Sequence, residues 1–292
     1  MSALADNRGL TPDISVPSRQ RGHWGSKTLK ALCWLSGFLT IGILLLIVTY
    51  ICVRGIPYLQ PSMFAIKYTS RNVSMFHAII NTLSITGLSL LFSVPVGVFG
   101  GIYLAEYAKP GSKLVKLIRV MAETLAGIPS IIYALFGLLA FVVTLGIGIS
   151  LLSGALTLAI MTLPLILRQT EESLLAVPMS YREGSYGLGA GKLRTTVRIV
   201  LPVATPGILA AVLLSIGRIS GETAALIYTA GTATRIAGIL ESGRTLSVHL
   251  YQLQQEGRYI NEAFAVAVVL LVIVVLMNGL SSMIAKRLTR KG

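Results

Sequence analysis

Long apolar runs alternate with short polar connections from about residue 31 to residue 285. A helix needs roughly 20 predominantly apolar residues to cross a bilayer. Runs of that order lie at 31–53, 76–105, 120–144, 149–167, 203–228 and 263–285, which predicts six spans. The runs are not uniform. In the second, Thr82, Thr86, Ser89 and Ser93 recur at helical spacing and place their hydroxyls on one face, followed by Pro95, Gly97, Gly100 and Gly101. Such a face either packs closely on a neighbouring helix or lines a polar pathway. The third run contains Ala126-Gly127-Ile128-Pro129-Ser130, a break whose freed backbone groups need protein or water around them rather than lipid. Between residues 229 and 261, Leu246, His249, Leu250 and Leu253 give a short amphipathic helical pattern. That segment reads as a surface loop, with a docking surface for an external partner as the alternative.

Composition agrees with the pattern. Apolar residues make up 54% of the chain and charged residues 12%, with a mean hydropathy of +0.77, which is outside the soluble range and defines an all-α integral membrane protein in contact with lipid. The net charge of +14 would suggest nucleic acid in a soluble domain. Here the basic residues sit at the ends of apolar runs, so nucleic acid is not an expected partner. Arg8, Arg19, Arg21, Lys27 and Lys30 precede the first run, and Lys109, Lys113, Lys116 and Arg119 follow the second. Arg182, Lys192, Arg194 and Arg198 follow the fourth, and Lys286, Arg287, Arg290 and Lys291 follow the last. The alternate connections carry fewer. Positive-inside bias then places both termini, and the connection after the fourth span, in the cytoplasm. Residues 1–30 read as a cytoplasmic polar tail, 31–53 as an uncleaved first span, 74–285 as the transmembrane domain proper and 286–292 as a basic cytoplasmic tail. Cys33 and Cys52 share one helix too far apart to bridge and read as apolar filler.

The polar stretch 171–202 has no packing role of its own in such a chain, so it reads as a docking element for a soluble partner. Charges also lie within spans. Arg218 is about fifteen residues into the fifth run, roughly 22 Å along a helix, with Glu222 at i+4 within ion-pairing reach. An unpaired charge at that depth costs at least ~2.5 kcal/mol, so a counter-charge or a wet cavity must offset it. A planar guanidinium suits a tetrahedral oxyanion, and Arg218, Glu222 and Thr223 are candidate pathway residues beside a purely structural Arg–Glu clamp. Arg168 closes the fourth span, with Glu171 and Glu172 just beyond; Arg168 either snorkels to the interface or senses the polar stretch.

Several other signals fail. Gly187-x-Gly189-x-Gly191-Lys192 lacks the P-loop glycine, since Tyr186 stands five residues before Gly191, and Leu193 replaces its Ser or Thr. His23, His77 and His249 are isolated in sequence and read as surface or interfacial residues rather than ligands. No metal site, cofactor or nucleophile–base set emerges, so any ATP is expected to be hydrolysed by another chain.

Glu183-Gly184-Ser185-x3-Gly189-x9-Ile199-x-Leu201-Pro202 resembles the EAA loop of bacterial ABC-importer permeases, with Gly184-Ser185 in place of Ala-Ala. The resemblance implies a MetI-like type I importer permease fold with a short helix that couples to an ATPase subunit through Glu183, Gly184, Ser185, Gly189, Ile199, Leu201 and Pro202. Arg218-x-x-Gly221-Glu222-Thr223-Ala224-Ala225-Leu226 resembles a segment of the A-type permease of phosphate importers, where Pro usually stands in place of Ala225. That change implies a straighter helix here. Ala126–Ile131 and Tyr103-Leu104-Ala105-Glu106-Tyr107 are similar to the same subfamily. Together these imply a phosphate-import permease in the bacterial inner membrane, working with a second permease, an ATPase dimer and an extracytoplasmic phosphate-binding protein. A sulfate or molybdate importer is one alternative, which the Gly221–Ala224 segment disfavours. An ion-coupled secondary transporter would leave 183–202 without a role, and a membrane scaffold would leave the buried charges without one.

Overall fold

The computed structural model describes residues 23–109 and 111–289, with side chains described over 27–109 and 111–283. Most of the expected tails, residues 1–22 and 290–292, lie outside the described residues. The chain divides into two compact units, residues 1–50 and 51–292. In the first unit the described part is one apolar helix, the bulk of α1 (His23–Gly55), whose side chains from 27 to 50 are exposed. An apolar helix exposed all round is suited to lipid.

Among its described residues the second unit is all helix and connection. It holds α2 (Phe76–Ile102), extended by a π turn over Tyr103–Tyr107; α3 (Lys113–Ala126); α4 (Ser130–Gly137), extended by a π turn over Leu138–Thr144; and α5 (Leu151–Leu175). Then come α6 (Met179–Gly187), α7 (Lys192–Thr195) running through a π turn into α8 (Leu201–Gly221), α9 (Ala224–Thr229), α10 (Leu246–Gln255) and α11 (Ile260–Thr289). Among the described residues five helices are long and apolar enough to cross a membrane, and a sixth if α3 and α4 count as one span bent by 103°. The bend falls at Gly127–Pro129, where the sequence predicts it, because Pro129 cannot continue the α3 ladder. Tyr133, 4% exposed, donates its hydroxyl to Leu125 O at 2.7 Å and satisfies one carbonyl that the break frees.

α5 is the central mast. Its apolar window is 67% buried, far more than that of the other spans, and it packs on α2, α3, α4, α8 and α9. Small residues permit the approach of α2: a Cβ on Gly97 would lie 2.7 Å from Ile166 Cγ2, and one on Gly101 2.7 Å from Thr170 Cβ. The hydroxyl face of α2 is fully buried, with Thr82, Thr86 and Ser89 each donating to the carbonyl four residues back. The structure therefore decides for close packing and against a pore-lining face. Leu174, Val177, Val200, Ala204 and Ile208 form one apolar layer, and Ile85, Leu151, Leu158, Ile219 and Leu226 another, so α5 and α8 run antiparallel.

Three expected boundaries move. The fourth span continues to Leu175, so Arg168, Glu171 and Glu172 are helical. The fifth begins at Lys192 and ends at Gly221, not at residue 228. The segment after residue 229 is no loose surface loop: Asn81 of α2 accepts from Ala237 N and donates to Arg235 O and Arg244 O, pinning it onto the body. Beyond it, α10 forms where the amphipathic pattern places it.

That end of the molecule also gathers the two histidines that look isolated in sequence. His77 and His249 are buried with ring centroids 5.6 Å apart, edge-on to Tyr68, and Arg244 lies 4.9 Å over the Tyr68 ring. Tertiary packing, not sequence spacing, makes this cluster. His249 Nε2 meets Val73 O at 3.3 Å, and Val73 takes a φ of 45°, unusual for a β-branched residue.

Candidate functional site

The stretch Glu183–Pro202 forms one compact structure at the end of α5. Val177 and Pro178 end the α5 connection, and α6 follows as a two-turn helix. Gly189 adopts φ +79° and stops it, which lets Ala190 N donate to Ser185 O at 3.1 Å and close the helix end. The glycine is required by conformation, since a Cβ on it would meet nothing within 4 Å. Gly184 likewise has open space for a Cβ, so an alanine would fit there. Ser185 Oγ lies 2.8 Å from Thr195 Oγ1 and ties α6 to α7. Glu183 and Pro202 are exposed, while Ile199 and Leu201 are half-buried, Leu201 packing onto the layer of Leu174 and Val200.

Apolar groups project from this element. Leu188 is 91% exposed at the tip of α6, with Tyr181 and Leu193 also exposed. Ser180, Tyr181, Gly184, Leu188, Arg194 and Ile199 line an open groove of about 450 Å³. An exposed leucine on a polar element outside the apolar spans points to a surface that another chain covers.

Sequence reasoning treats Arg182 only as an orientation charge, and Glu106 only as part of a similar segment. In the structure they form a buried pair, Nη2 to Oε1 2.6 Å and Nε to Oε1 3.2 Å. Proximity across 76 residues leaves no local signal, so only the fold reveals it. Near them Lys192 Nζ stands 5.2 Å over the Tyr107 ring.

The five candidate pathway residues separate into two groups. Arg168 and Glu171 lie toward the α6 end of α5. Arg168, 55% exposed, pairs with Glu172 at 2.8 Å and reaches Glu123 at 3.5 Å. Glu171 is buried and holds Arg119 through Nη2 at 2.5 Å. The two ion-pair sets join α3 to α5 around a cavity of about 270 Å³. Arg218, Glu222 and Thr223 lie toward the opposite end, since Arg218 is seventeen positions, or about 26 Å, beyond Leu201 along α8.

The expected Arg218–Glu222 pair does not form. α8 stops at Gly221 and Glu222 is extended, with φ −72° and ψ 127°, so i+4 geometry no longer applies. The Glu222 carboxylate instead accepts from Ala225 N at 3.3 Å at the start of α9. Its main-chain carbonyl accepts from Ser247 Oγ of α10 at 2.7 Å. The chain therefore breaks at Glu222 although no proline stands at Ala225, which corrects the expectation of a straighter helix. Among the described residues Arg218 has no ion pair within 4.0 Å, and it is half-buried at the last turn of α8.

A multi-pass helical body with a short helix exposed between two spans, carrying a leucine open to solvent, fits a membrane subunit that works with another chain. Residues 97–290 match the family described as binding-protein-dependent transport system inner membrane component, and the chain belongs to it. It is 32% identical over 287 residues to the probable ABC transporter permease protein YqgI of Bacillus subtilis, covering 90% of this chain and 97% of that one. It is 34% identical over 221 residues to the phosphate transport system permease protein PstA 1 of Mycobacterium tuberculosis, covering 74% and 72%. Among solved structures, a bacterial alginate ABC transporter in complex with a pentasaccharide-bound periplasmic protein aligns with TM-score 0.66 at 18% identity, over 91% of this chain and 98% of that one. The MetNI methionine ABC transporter in an inward-facing form aligns with TM-score 0.56 at 22% identity, over 73% and 94%. The MetI-like permease fold is therefore the fold of this chain.

Proposed function

We propose that this chain is one of two permease subunits of an ATP-driven importer of inorganic phosphate in the bacterial cytoplasmic membrane. It pairs with a second, similar permease, two ATPase subunits and an extracytoplasmic phosphate-binding protein. Both termini and α6 face the cytoplasm. The chain hydrolyses no ATP itself; closure of the ATPases displaces α6, and the spans rock between inward and outward access. The observation that carries the reading is Arg218, a half-buried guanidinium beside a broken helix with no ion pair among the described residues. A cation placed at such a break can meet an oxyanion in passing, and weak binding suits conduction. The phosphate-permease names of the M. tuberculosis and Mycobacterium leprae relatives support that choice of oxyanion.

Uptake of labelled phosphate by the reconstituted complex tests it. Arg218→Gln should lower uptake about tenfold to a hundredfold, the worth of a charge-assisted hydrogen bond, while the complex still assembles. Arg218→Lys should keep partial activity, because it retains charge but loses the planar fork. Adding Glu222→Gln to Arg218→Gln should restore nothing, since the two groups are not paired. Full phosphate uptake by Arg218→Gln, or uptake of sulfate or molybdate in preference to phosphate by the unaltered complex, would overturn the assignment.

A further inference from the structure

Of the basic residues around α6, Arg182 alone is turned into the body. Arg182 and Glu106 are each 8% exposed. Besides the two contacts to Glu106, Arg182 Nη1 donates to Val177 O at 2.8 Å and Nη2 to Leu174 O at 2.9 Å. Those carbonyls lie at and just beyond the end of α5, where the i+4 amide donors run out. Glu106 lies on the π turn that extends α2. One planar group therefore joins α6 to the ends of both α2 and α5.

We infer that Arg182 is a positioning residue, a strut through which displacement of α6 reaches α2 and α5 as one body. The inference rests on the coupling role given above to residues 183–202. A buried ion pair is a poor device for stability alone, because desolvation offsets most of its attraction. Its geometry is its use: the guanidinium fork fixes direction as well as distance, and a lysine cannot reach all three acceptors. Besides Arg182, α6 packs on the π turn Thr196–Val200 that leads into α8, where Val200 joins the apolar layer of Leu174 and Val177. Lys192 stands over Tyr107, a contact worth about 0.5–1 kcal/mol when exposed; none of these fixes direction as the guanidinium fork does. Arg182 is also absent from the groove lined by Tyr181, Gly184 and Leu188, so docking and transmission use different side chains.

The test uses the full complex, with Cys33 and Cys52 replaced and spin labels on cysteines at Gly187 and Phe99, both exposed. With Arg182 present, the label separation should be the same with and without bound ATP. In Arg182→Gln it should shift or broaden with nucleotide by about 2 Å or more, the scale of helix displacements, and phosphate uptake per ATP should fall about tenfold. Glu106→Gln keeps an acceptor and should give a smaller change in the same direction; it replaces Arg182→Gln if that variant fails to assemble. A nucleotide-dependent separation with Arg182 present would overturn the strut. So would separation and uptake per ATP unchanged in the assembled variants, the result of a merely structural cap. The label measurement does not depend on what is carried, so a complex that moves no phosphate would refute the substrate while leaving the strut to be decided by the labels.

Discussion

Leu188→Asp isolates docking from folding. Leu188 is 91% exposed, beyond the last turn of α6, and precedes the positive-φ Gly189. Substitutions at so open a position change stability by about 0.5 kcal/mol or less. In the assembled transporter the same side chain should be covered by the ATPase, and burying a leucine fully contributes about 1.5–3 kcal/mol. Losing that contact weakens docking about tenfold to a hundredfold at 1.4 kcal/mol per decade, and a carboxylate forced into the contact adds its own desolvation cost. Leu188→Ala should show the smaller part of this loss and Leu188→Asp the larger. The assay is the amount of ATPase retained by the tagged permease in detergent, beside the thermal stability of the permease alone. Equal retention by Leu188→Asp and the unaltered chain, at equal expression, would refute the docking argument. Loss of permease stability in step with retention would refute the claim that Leu188 does nothing for the fold.

Gly101→Ala should destabilise the permease by about 1–3 kcal/mol in a detergent melt, because its Cβ would stand 2.7 Å from Thr170 Cβ and 2.9 Å from Leu167 O, whereas Gly87→Ala, with nothing within 4 Å, should not. Acid should loosen α10: burial first, then the Arg244 and His77 charges, push His249 from its ordinary value down to about 3. The folded state therefore holds His249 neutral. Its contribution is complete above about pH 6.5 and falls as pH drops toward 3, by about 2 kcal/mol at pH 5. Tyr68, His77, Arg244 and Glu256 are the charged or titratable groups acting on this cluster; hydrogen exchange in α10 should quicken on acidification, and His249→Asn should flatten that dependence. A cysteine at Gly191 should react with an impermeant thiol reagent only from the cytoplasmic side, and labelling from outside in intact cells would reverse the topology.

What the sequence makes legible is what periodicity and backbone chemistry encode locally. Apolar runs place the spans, Gly127 and Pro129 place the bend, and within Glu183–Pro202 two positions answer to a local need, a helix stop at Gly189 and a packed leucine at 201. Contacts between distant segments are not legible that way. Glu222 looks like the i+4 partner of Arg218 only while the helix is assumed to continue. It stops at Gly221, and α10, twenty-five residues later, supplies Ser247 to the Glu222 carbonyl. The same holds for Glu106 with Arg182, for Arg119 with Glu171, and for His77 with His249: each pair is made by helices packing on α5 or α10, and neither member signals the other.

The two ends of the body are fastened by different forces. At the α10 end, Asn81 and the Glu222 carbonyl are held by neutral hydrogen bonds, buried or partly buried, which salt scarcely touches. At the α6 end, α3 is held to α5 by the small apolar cluster of Val115, Ala122 and Leu167 and by ion pairs whose arginines are half exposed, Arg119 at 50% and Arg168 at 55%, where ions screen the attraction within about 8 Å at physiological strength. Rising ionic strength should therefore weaken the hold of α3 on α5 while the Asn81 and Ser247 ties stay in place, and the buried Arg182–Glu106 pair, shielded from ions, should keep α6 with α2 and α5 as α3 loosens.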